Sequence, residues 1–117
     1  MAHKAEPLTE SYFFILLCLY RGPNHGYGIM QQALELSKGN VRIGSGTMYG
    51  ATSNMMKKGW IEECPSDKGA FDRKRQYRLT ENGLQALRDE VERLRYLNAA
   101  IGDVMGEMQH EEDKEQL

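Results

Sequence analysis

The feature that most restricts the fold of this chain lies in its last third. Apolar residues recur at Leu84, Leu87, Val91, Leu94, Ile101, Met105 and Met108, in steps of three, four, three, seven, four and three. Asn98 fills the gap inside the step of seven, so the stripe reads as an unbroken a/d heptad with one polar member. Thr80 is placed to cap the start of this helix, with Glu81 in the first turn, where a negative charge suits the helix dipole. A helix over 81–108 is about 40 Å long. Residues 1–79 are too few to cover a stripe of that length. Two copies of the chain pairing along it satisfy the pattern, with Asn98 either selecting the register or standing as a tolerated polar residue. Leu97 and Val104 lie beside the stripe, placed to pack on the first helix of either copy.

The chain has 117 residues, 40% hydrophobic and 27% charged, which suffices for one modest core and argues against disorder. Its longest apolar run, Tyr12 to Tyr20, is nine residues, too short to cross a bilayer. No charged start leads into a longer apolar run, so no secretion signal is read and the expected location is the cytoplasm, without a membrane partner. Cys18 and Cys64 show no CxxC or Cys/His spacing, which gives neither a disulfide framework nor a structural zinc. No Ser/His/Asp set, Walker loop or metal motif is visible, so neither an enzyme nor a cofactor is expected.

Thr9 is placed to cap a first helix over roughly 10–21, stopped at Gly22-Pro23. Asn24 is placed to cap a second, running to Lys38 and closed by Gly39, with Tyr27, Met30 and Leu34 on one face. Ser45 is placed to cap a third over 46–58, ended by Gly59. Met48, Thr52 and Met55 form its inner stripe; Gly46, Gly50, Ser53, Asn54 and Lys57 lie opposite. Two strand candidates follow, Trp60 to Cys64 and Arg75 to Leu79, separated by the turn formers Pro65, Ser66, Asp67, Gly69 and Asp72. The net charge of −2 divides into +4 over residues 1–79 and −6 over 80–117. A nucleic-acid binder needs a basic face, not a basic chain, and this split permits one.

Three helices, a hairpin and a long helix is the order of a winged helix-turn-helix with an appended dimerisation helix, a mainly α fold with a small β-hairpin. Over about residues 8–87 the chain resembles the PadR-like transcriptional regulators. The resemblance is carried by His25-Gly26-Tyr27-Gly28-Ile29, by Gly46-Thr47-Met48-Tyr49 and by Gly59-Trp60-Ile61-Glu62. It continues through Arg73-Lys74-Arg75-Gln76-Tyr77-Arg78-Leu79-Thr80-Glu81-Asn82-Gly83. The short C-terminal part is similar to that of the compact subfamily. The resemblance implies a DNA-binding domain over 1–79 and a dimerisation helix over 80–108, followed here by an acidic tail, 109–117, expected to be disordered. It further implies a homodimeric repressor of a pseudo-palindromic double-stranded operator, released by a small aromatic or drug-like effector. The family's Ser-Pro is here Gly44-Ser45, Gly50 follows the Tyr, and Thr52 stands where a core Leu is usual. The alternative is a winged-helix adaptor that binds protein and not DNA; the basic run Arg73-Lys74-Arg75 speaks against it.

Thr47, Ser53, Asn54 and Lys57 are the candidates to reach base edges or phosphates, with Asn54 suited to a bidentate contact to adenine. Gly46 and Gly50 either admit a close sugar-phosphate backbone or are tolerated small residues. The resemblance puts Tyr49 at the DNA face, where its ring can also pack. Arg73, Lys74 and Arg75 are suited to phosphates or a flanking minor groove, and Arg42, Lys57 and Lys58 to further phosphates. His25 is suited either to a phosphate or to a turn. In the multidrug-sensing branch, aromatic residues of the last helix sandwich flat drugs; Tyr96 is similarly placed, and Tyr12 joins it as a candidate for an effector cavity at the dimer centre.

Overall fold

The computed structural model describes residues 6–65 and 75–115, with side chains to residue 106. Thr9 caps α1 (Glu10–Tyr20), its side-chain oxygen accepting from the Tyr12 N–H at 3.2 Å. Ile15, Leu16, Cys18 and Leu19 are buried, and α1 is the hub against which α2, β3 and α4 pack. That central position explains its nearly unbroken apolar sequence.

The second helix departs from expectation at both ends. Asn24 and His25 form a short strand, β1, paired with Tyr77 and Gln76 of β3 (Gln76–Leu79). α2 (Gly26–Leu36) is therefore capped by His25, not Asn24: the Gly28 N–H donates to His25 Nδ1 at 3.1 Å. Asn24 Oδ1 accepts from the His25 N–H at 2.9 Å. The inward residues are Ile29 and Ala33, while Tyr27 is 59% exposed, which corrects the expected inner face. The helix stops before Lys38 because Lys38 and Gly39 take positive φ, 54° and 83°.

α3 (Ser45–Lys57) starts at Gly44 as cap and has no side-chain cap bond; Ser45, the expected cap, lies in its first turn. Met48, Ala51, Thr52 and Met55 are buried as their spacing requires. Thr52 fits because its hydroxyl donates to the carbonyls of Met48 (3.0 Å) and Tyr49 (3.1 Å), leaving its methyl for the core.

β2 (Ile61–Cys64) pairs antiparallel with β3, from Ile61 opposite Leu79 to Cys64 opposite Gln76, in a sheet of order β1-β3-β2. Each hairpin strand starts one residue later than expected. The hairpin tip, with Arg73 and Lys74, lies outside the described residues.

α4 (Glu81–Glu115) extends beyond the expected end at 108, through most of the acidic tail. At 35 residues it is about 52 Å long. Thr80 Oγ1 accepts from the Gly83 N–H at 3.1 Å and donates to the Gly59 carbonyl, while the Thr80 N–H donates to the Trp60 carbonyl at 3.0 Å. The start of α4 is thus latched to the turn that ends α3. Leu87 is buried in the protomer's own core, and Leu84 and Val91 are half-buried. The expected single seam is therefore divided: Leu87 is spent on the first domain because α4 must cross α1 there. Glu90 is buried as an ion pair, its carboxylate taking Arg93 Nε (2.7 Å), Arg93 Nη2 (2.9 Å) and the Leu8 N–H (3.2 Å).

Burial pushes the Cys18 thiol up to about 11, outweighing the lowering effect of Arg21. The folded value exceeds the ordinary 9.0, so the unfolded chain ionises first. Stability from this group is complete below about pH 9 and is lost as pH rises toward 11. Urea unfolding across that range should show a fall that is shallower in Cys18→Ala. Equal slopes in both proteins would refute the assignment.

Candidate nucleic-acid interface

With Met48, Ala51, Thr52 and Met55 turned inward, helical geometry places Gly46, Gly50, Ser53 and Lys57 on the outer face of α3. Exposed Thr47 flanks this stripe on one side, and Tyr49, 71% exposed, on the other. A Cβ at Gly46 or Gly50 would meet nothing within 4 Å, so the face is flat and open. A cleft of about 330 Å³ separates the start of α2 from α3 and β3, lined by His25, Tyr27, Tyr49 and Arg75 among others. Tyr27 and Tyr49 both present their rings to solvent at this cleft, and the Tyr27 hydroxyl accepts from Gln31 Nε2 at 2.9 Å.

One expected site residue is placed differently. Asn54 is half-buried, and its Nδ2 donates to the Tyr12 hydroxyl at 2.9 Å. It braces α3 against α1 through one of its amide hydrogens. Asn54→Ala and Tyr12→Phe should therefore cost similar stability, about 1 kcal/mol each, and the double variant should cost no more than either alone. Additive losses in chemical unfolding would refute the brace. Ser53 lies on the outer stripe where its spacing put it, half-buried.

Arg75 is not a lone cation. Its Nη1 lies 3.5 Å from Glu63 Oε1, and in the same hairpin Arg78 Nε lies 2.8 Å from Glu62 Oε1. Both pairs are largely exposed, so a polyanion displaces Glu63 at little cost. Arg42, Lys57 and Lys58 are exposed, and Lys58 Nζ sits 5.0 Å over the Trp60 ring.

Beyond Val91, α4 leaves the domain. Leu94, Leu97, Asn98, Ile101, Val104 and Met105 are exposed, Val104 at 79%. Leu94 and Asn98 share a shallow cleft with Phe13 of α1. The Met108 side chain lies outside the described residues. Within one protomer, Tyr12 lines a cleft with Trp60, and Tyr96 is exposed on α4 outside that cleft. Sequence reasoning missed the His25 cap and buried Glu90. The extended Asn24-His25 pair signals the first only once its strand partner is known.

Among the described residues no helix is long and apolar enough to cross a membrane, and no group of three or more His, Cys, Asp or Glu could hold a metal ion.

A model of the transcriptional regulator PadR-like family matches residues 15–89. A PadR family transcription regulator from hypervirulent Clostridium difficile R20291 shares the fold with a TM-score of 0.71 at 23% identity, over 83% of this chain and 99% of that one. RosR of H. salinarum aligns with a TM-score of 0.66 at 25% identity, over 97% and 100%. Bacillus subtilis PadR, solved in complex with operator DNA, aligns with a TM-score of 0.59 at 25% identity, over 68% of this chain and 45% of that one. No curated protein matches the chain.

Proposed function

The chain belongs to the PadR-like family of transcriptional regulators, and from that premise we propose that it is a homodimeric repressor of a pseudo-palindromic DNA operator, released by a small aromatic effector. The observation that carries the DNA-binding part is the bare outer face of α3, flanked by Thr47 and Tyr49. A face with no side chains at Gly46 and Gly50 lets the helix approach the floor of a major groove. Thr47 and Ser53 reach base edges, Lys57 and the Tyr49 hydroxyl hold phosphates, and Gly50 sets the distance. The operator complex of the Bacillus subtilis relative supports this reading.

Dimerisation uses the described part of the heptad that the protomer leaves uncovered: Leu94, Asn98, Ile101 and Met105. Phe13 extends this surface onto α1. In a two-fold dimer both α3 helices then face one side of the duplex, one half-site each.

The test is a mobility shift with DNA from beside the protein's own gene, against scrambled DNA of equal length. Preference for the first supports the repressor; equal weak binding favours a protein-interaction adaptor. The wing adds a quantitative test. With two cations of Arg73, Lys74 and Arg75 on phosphates per wing, and two wings per dimer, the slope of log affinity against log salt carries about −3.6 from the wings. The triple Ala variant should flatten the slope by that amount while staying folded and dimeric. An unchanged slope would make this basic run a solvated turn.

A further inference from the structure

On the side of the domain toward the N-terminal arm, a cleft of about 740 Å³ opens between residues 6–9, the first turn of α1, the end of α3 and the start of α4. It offers two half-buried rings, Tyr12 and Trp60. We propose that this cleft binds a flat organic cation, an aromatic amidine or amine, within a single protomer.

Three observations carry the assignment. First, the Trp60 ring already holds a cation. Lys58 Nζ lies 5.0 Å from the ring centroid, yet Lys58 is exposed, a strongly hydrated ammonium on a long flexible stem. A planar cation that stacks on the indole supplies the same charge with more contact, and Lys58 returns to water at little cost. Second, the charge of the lining is acidic. Among the described lining residues, Glu6, Asp89 and Glu90 face one lysine, Lys58. Glu90 is matched by Arg93, which leaves the half-buried Asp89 carboxylate and Glu6 as counter-charges for a ligand. Asp89 Oδ1 accepts from Gln85 Nε2 at 2.8 Å, which orients it on the α4 wall. An anionic aromatic is repelled by the same groups. Third, the cleft touches three helices, one of them the helix proposed to read DNA. Asn54 and Lys58 belong to the end of α3 and its cap, Tyr12 to α1, and Asp89 to α4. An occupant that displaces Lys58 or loosens the Asn54–Tyr12 bond acts on the α3 helix directly. That link to operator release rests on the function proposed above; the binding itself does not.

Trp60 is the only tryptophan of the chain, so its fluorescence reports on this cleft alone. The full chain, without DNA, is titrated with benzamidinium, benzamide and benzoate, which share a ring and differ in charge. Benzamidinium should change Trp60 emission saturably, benzamide about tenfold more weakly, and benzoate not at all. Asp89→Asn should weaken benzamidinium about tenfold, whereas Lys58→Ala, which removes the competing cation, should tighten it. Should Asp89→Asn lose its helical circular dichroism, Glu6→Gln and Lys58→Ala carry the test. Equal responses to the three ligands, or an affinity unmoved by the variants that remain folded, overturns the proposal. Saturable benzamidinium binding by a protein that ignores its operator would sink the repressor and leave this site standing. The converse result would do the opposite.

Discussion

Gly83→Ala should destabilise the folded chain by about 3 kcal/mol or more, a large part of the roughly 5–15 kcal/mol that holds a domain together. A Cβ at Gly83 would stand 1.9 Å from the Trp60 carbonyl oxygen and 3.1 Å from Leu79 Cδ2. The first of these is backbone, held by its bond from the Thr80 N–H, so it has no flexible side chain to swing aside. Relief requires α4 to lift away from the turn that ends α3. The loss should appear as a lowered urea midpoint and, in whatever fraction stays folded, as weakened operator binding. Gly50→Ala is the control with the opposite sign. It lies mid-helix with nothing within 4 Å of a new Cβ, so it should stabilise by about 0.5–1 kcal/mol while weakening DNA binding. A Gly83→Ala midpoint at or above wild type would refute the close packing.

The second large effect is expected at Ile101, 55% exposed on the part of α4 that no other described element covers. Ile101→Asp should leave the protomer folded and split the dimer. A buried anchor of this kind costs about 2 kcal/mol per copy, and two-fold symmetry counts it twice, so dissociation should rise roughly a thousand-fold. Sedimentation at micromolar concentration should show monomers, and operator affinity should fall because each half-site must then be bound alone. Leu87→Asp separates the two roles of the stripe. It should unfold the protomer, since Leu87 is 3% exposed within one chain. If Ile101→Asp remains dimeric, the seam lies elsewhere.

The elements of this protein were readable one by one. Thr9 and Thr80 mark helix starts through hydroxyls that accept N–H groups three residues on, a contact confined to one turn. Gly39 and Gly59 mark helix ends because their φ values, 83° and 74°, suit a residue without a Cβ. The inner stripe of α3 follows from the spacing of Met48, Thr52 and Met55 alone, and the hairpin from two short runs around a cluster of turn formers. These signals are local, and the order of elements they define was enough to indicate the winged helix and its long terminal helix.

The candidate site was legible only in part, because its geometry depends on residues far apart in the chain. Spacing assigned Asn54 to the outer face, yet the Tyr12 hydroxyl, 42 residues away, takes its amide. Spacing put Tyr27, Met30 and Leu34 on one face, but packing of α2 against α1 turns Ile29 and Ala33 into the core and leaves Tyr27 exposed. The heptad showed that α4 has an apolar stripe without showing which part each neighbour covers. Crossing α1 consumes Leu87 and leaves Ile101 to a second copy in the proposed dimer. Glu90 is tolerated in the interior because Arg93 lies one turn on and the Leu8 N–H, 82 positions earlier, completes its carboxylate. Caps and periods are set by neighbours within one or two turns, so the sequence by itself determined the elements and their order. Which face of each element is covered is set by contacts across tens of residues, and only the tertiary structure decided those.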